Sequence, residues 1–389
     1  MTETRQRIGS IDLLRGTVMV IMALDHTRDF FHADAMLQDP TDLSVSTAPV
    51  FFTRWITHFC APVFVFLSGV SAFLYGRKIT KSELSRYLLK RGLFLLLLEL
   101  TVMTFLLTFN PFFNLIFLEV IWAIGISMIL LAVLVQLPIQ WLLAIGLIIF
   151  LGHNLLDYTP ATNQHPLLVL LHGRSGVFPL NAEHMVLMGY SFLPWTGIMI
   201  LGYCCGNLFQ AKYSPAFRRA LLVRTGAALL LFFIVLRSMN GYGNPSPWTT
   251  QKNAWFTFLS FINVNKYPPS LLFCCMTLGP ALILLGLSEG WQGKAVRTLT
   301  IYGRVPLFYF MGHFLMIHLL CVIAFFASGH SFNEAYTASS PFGFRPTNFG
   351  YPLPVVYAVW IFVVASMYPL CRWFNRYKNT HRQWWVRYL

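Results

Sequence analysis

A chain whose apolar stretches repeatedly reach the length of a bilayer crossing has few folds open to it. Stretches near or above the roughly 18 residues needed to span hydrocarbon occur around 11–31, 50–76, 91–109, 112–135, 138–157, 190–209, 218–239, 268–288, 299–326 and 353–374. Lipid offers backbone N–H and C=O groups no partners, so such stretches are expected to be α-helices. The sequence therefore predicts an all-α polytopic membrane protein, a bundle of about ten transmembrane helices. Pro111 and Pro138 punctuate closely spaced pairs, as tight turns between antiparallel helices require. No polar stretch reaches the length of a soluble domain, so residues 1–389 read as a single transmembrane domain.

Composition agrees: 56% of residues are hydrophobic and 11% charged, against about a quarter charged in a soluble domain. The formal net charge of +14 comes from basic residues set between apolar runs, not from one stripe with interleaved aromatics, which argues against nucleic acid as a partner. Arg77, Lys78, Lys81, Arg86, Lys90 and Arg91 follow the second apolar stretch; Lys212, Arg218, Arg219 and Arg224 follow the sixth; Lys294 and Arg297 follow the eighth. Arg372, Arg376, Lys378, Arg382 and Arg387 form a basic tail. Under the positive-inside rule these alternate loops are cytoplasmic, as are both termini. The opposite loops, near 32–50, 158–189, 240–267 and 327–352, are longer, poor in Lys and Arg, and should face outward.

The expected location is a cell membrane, most simply a bacterial inner membrane, with membrane lipid as the surrounding partner. Asp25 and His26 interrupt the first apolar run, which has no small-residue cleavage site and reads as a retained helix. Seven cysteines lie mostly inside apolar segments, without CxxC pairs or zinc-finger histidine spacing, so no metal is predicted. Self-association into a homo-oligomer is left open.

The first helix carries the candidate chemistry. In RGTVMVIMALDH, Arg15 and His26 stand eleven positions apart in an otherwise apolar run. Eleven residues make close to three turns, which puts both side chains near one helix face, separated by roughly 16 Å along the axis. A cation in a bilayer costs at least about 2.5 kcal/mol, so Arg15 must meet protein, water or an anionic ligand. Asp12, one turn earlier, is its structural partner; a phosphate is its functional one. His26 is flanked by Asp25 and has Asp29 one turn on, an arrangement that resembles an oriented general base. His32 follows close behind.

An Arg, ten residues and a His in the first helix resemble the motif of membrane acyltransferases of the acyltransferase-3 type. SIDLLRGTVMVIMALDHTRDFFH (10–32), FFTRWITHFCAPVFVFLSGVSAFLYG (51–76), SFLPWTGIMILGYCCG (191–206) and YGRVPLFYFMGHFLMIH (302–318) together resemble the catalytic domain of heparan-α-glucosaminide N-acetyltransferase and its bacterial relatives. The resemblance implies transfer of an acyl group, usually acetyl, from cytoplasmic acetyl-CoA to a carbohydrate or glycoconjugate hydroxyl or amine on the far side. The lysosomal member carries Asn at the place of His26 and its catalytic His in the following loop. That leaves His26, oriented by Asp25 or Asp29, as the preferred base and His32 as the alternative. Arg15 and Arg304 are then candidate contacts for CoA phosphates, and His313 a candidate lining of the acyl-CoA cavity.

Other polar residues carry weaker signals. Glu99 and Glu119 lie in the third and fourth apolar stretches, where capping or pairing across helices is the simpler reading. His313 and His318, five apart, diverge by roughly 140° on a helix and cannot form an i,i+4 metal pair. His58 could meet His26 or pack at an interface. Trp195, Trp248 and Trp255, with Tyr190 and Tyr242, suit a sugar ring, although an aromatic belt explains them as well. A proton-coupled carrier of a small polar or anionic solute is the competing function, since buried charges mark transport routes as readily as catalysis.

Overall fold

The computed structural model describes residues 8–158, 166–337, 340–381, 383 and 386. Arg382 and Arg387 of the basic tail, and 159–165 of one polar loop, lie outside these. Fifteen α-helices follow in chain order among the described residues: α1 (Gly9–Phe31), α2 (Ala48–Trp55), α3 (Cys60–Gly76), α4 (Lys81–Leu98), α5 (Thr104–Thr108), α6 (Val120–Leu134), α7 (Ile139–Gly152), α8 (Pro166–His172), α9 (Phe192–Gly206), α10 (Pro215–Met239), α11 (Ala254–Ile262), α12 (Leu271–Leu287), α13 (Lys294–Arg304), α14 (Pro306–Ala327) and α15 (Leu353–Thr380).

Among the described residues seven continuous helical segments are long and apolar enough to cross a membrane: Ala48–Gly76, Lys81–Thr108, Ile139–Tyr158, Phe192–Phe209, Pro215–Met239, Pro306–Ala327 and Leu353–Thr380. The protein is a multi-pass membrane protein. Helices α6 and α12 are apolar but shorter, and α1 carries Asp12, Arg15, Asp25, Arg28 and Asp29, so these three of the ten expected spans do not meet the same standard.

Two expected spans differ in form. The stretch 112–135 is helical only over Val120–Leu134, because Leu115–Leu118 form a strand, β1. It pairs in parallel with β3 (Met185–Met188), which pairs antiparallel with β2 (Gly176–Pro179). A small three-stranded sheet, β1-β3-β2, therefore sits in an otherwise helical protein, and part of the loop 158–189 is ordered as its hairpin. The stretch 299–326 breaks at Val305, where Pro306, which has no N–H, opens α14.

Apolar neighbours alone do not distinguish helix from lipid, so helix pairs need close backbone approach. Four pairs achieve it through facing glycines. A Cβ at Gly16 of α1 would collide with the Leu299 carbonyl of α13, and one at Gly303 with the Asp12 carbonyl. Gly69 of α3 and Gly202 of α9 stand in the same relation to the carbonyls of Met199 and Phe66. Gly92 faces Gly125 between α4 and α6, and Gly226 faces Gly279 between α10 and α12. Ion pairs add ties at the end carrying most of the basic loops, the basic end: Arg218 of α10 holds Glu289 beyond α12. The opposite end, with the polar loops and the sheet, is the loop end.

Gly202→Val should lower stability by about 3 kcal/mol, the upper range for overpacking a core, and cut the yield of monodisperse protein in detergent. Gly152→Ala, with open space around it, should behave as wild type in the same thermal-unfolding assay.

Candidate active site

Below the loop end lies a cavity of ≈ 260 Å³ walled by α1, α3, α4, α6 and α14 and by the loops before α9 and α12. Met19 and Phe30 both line it; they are eleven residues apart on α1, so the cavity follows that helix for roughly 16 Å. Ser68, Arg91 and Pro306 mark its floor toward the basic end, and Arg54, Glu119, Tyr190, Lys266 and Tyr267 gather toward the loop end.

His26 is half-buried and lines this cavity. Its Nδ1 lies 2.6 Å from Nε2 of His313, and the ring stacks on Phe314 at 4.0 Å between centroids. The expected carboxylate partner is replaced by a histidine. Consecutive helical residues point about 100° apart, and Asp25 is directed away to Arg54 of α2 and Arg28, the latter at 3.0 Å. Asp29 is one turn from His26 but held by Arg28 at 2.5 Å. Both carboxylates therefore neutralise buried cations: Arg28 is 5% exposed, and charges so placed persist only when paired. Asp25, Arg28 and Asp29 still line the cavity wall.

His32 is not in this cavity. It follows the last residue of α1, where the backbone turns to bridge Tyr351, and its side chain lines a separate small pocket with Asp34, Gln38 and Asp39. Arg28 contributes to the walls of both spaces. Burial pushes the His32 imidazole below its ordinary pKa; Asp34 opposes the shift, while Arg28 and Arg345 reinforce it. His58 also misses the cavity and packs edge-on against Phe273.

Arg15 takes the structural partner open to it. Its guanidinium reaches Asp12 at 3.3 Å, the Gly303 carbonyl at 3.1 Å and the Ser71 hydroxyl at 2.8 Å, tying α1 to α13 and α3. Arg304 approaches the same Asp12 at 3.6 Å with its side chain 36% exposed. His313 is fully buried and is not among the residues lining the cavity; it touches that space only through its contact with His26, which does line it. His318 bonds the Leu106 and Gly343 carbonyls, a packing role.

Glu99 and Glu119 both face the cavity. A five-residue π-turn, Glu99–Met103, links α4 to α5, and the Glu99 carboxylate accepts the Glu119 backbone N–H at 2.6 Å, capping α6. The Glu119 side chain lies against Gly189, where any Cβ would displace it.

Four basic cavity residues, Arg28, Arg54, Arg91 and Lys266, are not singled out as site residues by the reading of the sequence. In the sequence Arg54 stands as a lone charge inside 50–76 and Lys266 as a lysine in a loop otherwise poor in basic residues, while Arg91 reads as a topology signal. Lys266 is 9% exposed, with its ammonium 5.0 Å from the Tyr267 ring centroid. Among the described residues no group of three or more His, Cys, Asp or Glu side chains is arranged to hold a metal ion.

A helical membrane protein whose charged cavity runs along a helix bearing Arg, ten residues and His has the frame of a membrane acetyltransferase. The family model for the heparan-alpha-glucosaminide N-acetyltransferase catalytic domain matches residues 7–243, more than half of the chain, and the chain belongs to that family. The match takes in α1 through α10 with Asp25, His26, Arg54, Glu99 and Glu119; Lys266, Arg304 and His313 lie beyond it. No protein of curated function matches the chain. A family of transferases lends nothing to the carrier alternative.

Arg54→Met, which leaves Asp25 with one of its two cations, should cost about 3–5 kcal/mol, as breaking a buried pair does. Adding Asp25→Asn should recover a large part of it in thermal unfolding; additive losses would show that the two are not coupled.

Proposed function

We propose that the protein moves an acetyl group from acetyl-CoA to an amine or hydroxyl of a carbohydrate acceptor inside this cavity, with His26 as the general base. The observation that carries the reading is a half-buried histidine on the wall of a cavity that extends from Arg91 near the basic end to Lys266 near the loop end. The extent along α1 is comparable with the pantetheine arm of CoA. Family membership supports acetyl transfer as the chemistry.

In this reading α1, α6 and α12 complete a bundle of about ten spans, and the basic loops with both termini face the cytoplasm of a cell membrane. CoA enters at the basic end. Arg91, on the cavity floor, and Arg304, a third exposed, are its phosphate contacts, while Arg15 holds the helices that shape the entrance. The acceptor enters from the loop end, past Tyr190 and Tyr267, whose rings meet edge to face at 5.4 Å.

The acceptor's N or O attacks the thioester carbonyl as His26 removes its proton. Negative charge collects on the carbonyl oxygen, and Lys266 and Arg54, which line the cavity, supply positive charge. When the oxygen's charge returns to the carbon, the C–S bond breaks, CoA leaves as thiolate and takes the proton from His26. The products are the acetylated acceptor and CoA thiol, and His26 is restored as a base.

Thiol release from acetyl-CoA with glucosamine as the offered acceptor tests the assignment. His26→Ala should lower kcat by about 10²–10⁴-fold, the range for losing a general base, whereas His32→Ala should keep most of the activity. Full activity in His26→Ala would overturn it.

A further inference from the structure

The hydrogen bonds around His313 determine where the protons sit on both rings of the histidine pair. His313 Nδ1 lies 2.8 Å from the backbone carbonyl of Tyr309, one turn earlier on α14. A carbonyl oxygen only accepts, so Nδ1 carries the hydrogen, and in the neutral ring the lone pair is then on Nε2. That Nε2 is the atom 2.6 Å from His26 Nδ1. Only one of the two can donate, and it is His26. Its own lone pair is consequently on Nε2, at the edge of the ring not occupied by His313.

The ring geometry fits such a bond. The two imidazole planes are within 15° of each other with centroids 4.9 Å apart, as expected for near-coplanar rings joined nitrogen to nitrogen rather than stacked face on face. His26 is also gripped from the sides: Phe314 lies against its face and Phe310 meets it edge-on at 6.0 Å. A half-turn of the ring, which would exchange its two nitrogens, has to break the bond to His313 within this aromatic box. His313 is 0% exposed and surrounded by Tyr309, Phe310 and Phe314. None of the described carboxylates bonds it, so no ion pair offsets the cost of a second proton on the ring.

We infer that His313 is the positioning residue of this site: its Nε2 holds His26 in the tautomer whose Nε2 lone pair serves the cavity, and it makes no contact with acyl-CoA. The inference rests on the reading of His26 as the base. It assigns to a neutral histidine, backed by a backbone carbonyl, the orienting work that a carboxylate does in an acid–base–nucleophile triad. The Tyr309 carbonyl, which only accepts, ends the hydrogen-bonded chain at His313. The imidazolium formed during the reaction keeps its Nδ1–H bond to His313 and returns the Nε2 proton to the departing thiolate.

Two measurements test this on the purified full chain. In protein labelled with ¹⁵N-histidine, with signals assigned by loss in His26→Gln and His313→Gln, His26 should show a protonated Nδ1 and an unprotonated Nε2. The reverse pattern, or an exchanging mixture in the wild type, would overturn the inference whatever the activity. The second measurement compares two replacements. His313→Gln presents a carbonyl oxygen near the place of Nε2 and should keep kcat within about tenfold; His313→Leu fills the apolar pocket but cannot accept, and should lose about 100-fold in kcat, the upper range for removing an orienting partner. KM for acetyl-CoA should stay within about twofold in both. Equal losses in the two variants, or a raised KM at unchanged kcat, would make His313 a packing or donor-binding residue. If His26→Ala proves fully active, the base assignment fails by itself, and the tautomer measurement still decides the pairing.

Discussion

Backbone-to-backbone contact at facing glycines is the constraint on which the rest of this molecule depends. Lipid chains are as apolar as leucine, so nothing drives α1 against α13, or α3 against α9, except the contacts made at close range. Gly16 and Gly303 let α1 and α13 touch main chain to main chain. Arg15 then reaches both the Gly303 carbonyl and Ser71 of α3 from the same turn. The register of α1 is set at this crossing, ten residues before His26. A shift of one residue there would rotate every later side chain of the helix by about 100° and take His26 away from His313.

Charge completes what packing begins. Asp25 is shared between Arg28 and Arg54, and Arg28 is shared between Asp25 and Asp29, so one chain of ion pairs links α1 to α2 beside the cavity. These groups are costly to bury and costly to separate. They leave the two histidines to a different kind of partnership, neutral ring to neutral ring, in which geometry rather than charge fixes the proton. Arg54, Lys266 and His26 thus line one cavity, the cation of Arg54 paired with Asp25 and the ring of His26 paired with His313.

Much of this frame was legible in the sequence, and its failures have physical causes. Helices occur at each of the ten apolar stretches because length and hydropathy are local properties. The Asp12–Arg15 pair was visible because three residues on a helix are neighbours. The same local logic points His26 to Asp25 or Asp29, whereas its ring pairs with a partner 287 residues away in the chain. The strand at Leu115–Leu118 was hidden because a short apolar run reads alike in either conformation; only the hairpin seventy residues later selects it. Lys266 and Arg54 were present as isolated charges in the wrong company, but no spacing rule joins an element near residue 54 to a loop near 266.

One contact at the loop end bears on how such a chain is assembled. Arg345, 0% exposed, donates from Nε to the Asp29 carbonyl at 3.3 Å and from Nη2 to the His32 carbonyl at 2.5 Å, closing the last turn of α1; it also bonds the carbonyls of Pro346 and Phe349. Helix α1 is thus finished by a residue synthesised more than three hundred positions later. Until that loop arrives, the terminal carbonyls of α1 must be met by water or headgroups. The order of synthesis and the order of completion run in opposite directions, and a ribosome-bound fragment lacking the loop before α15 carries His26 on a helix whose end is still open.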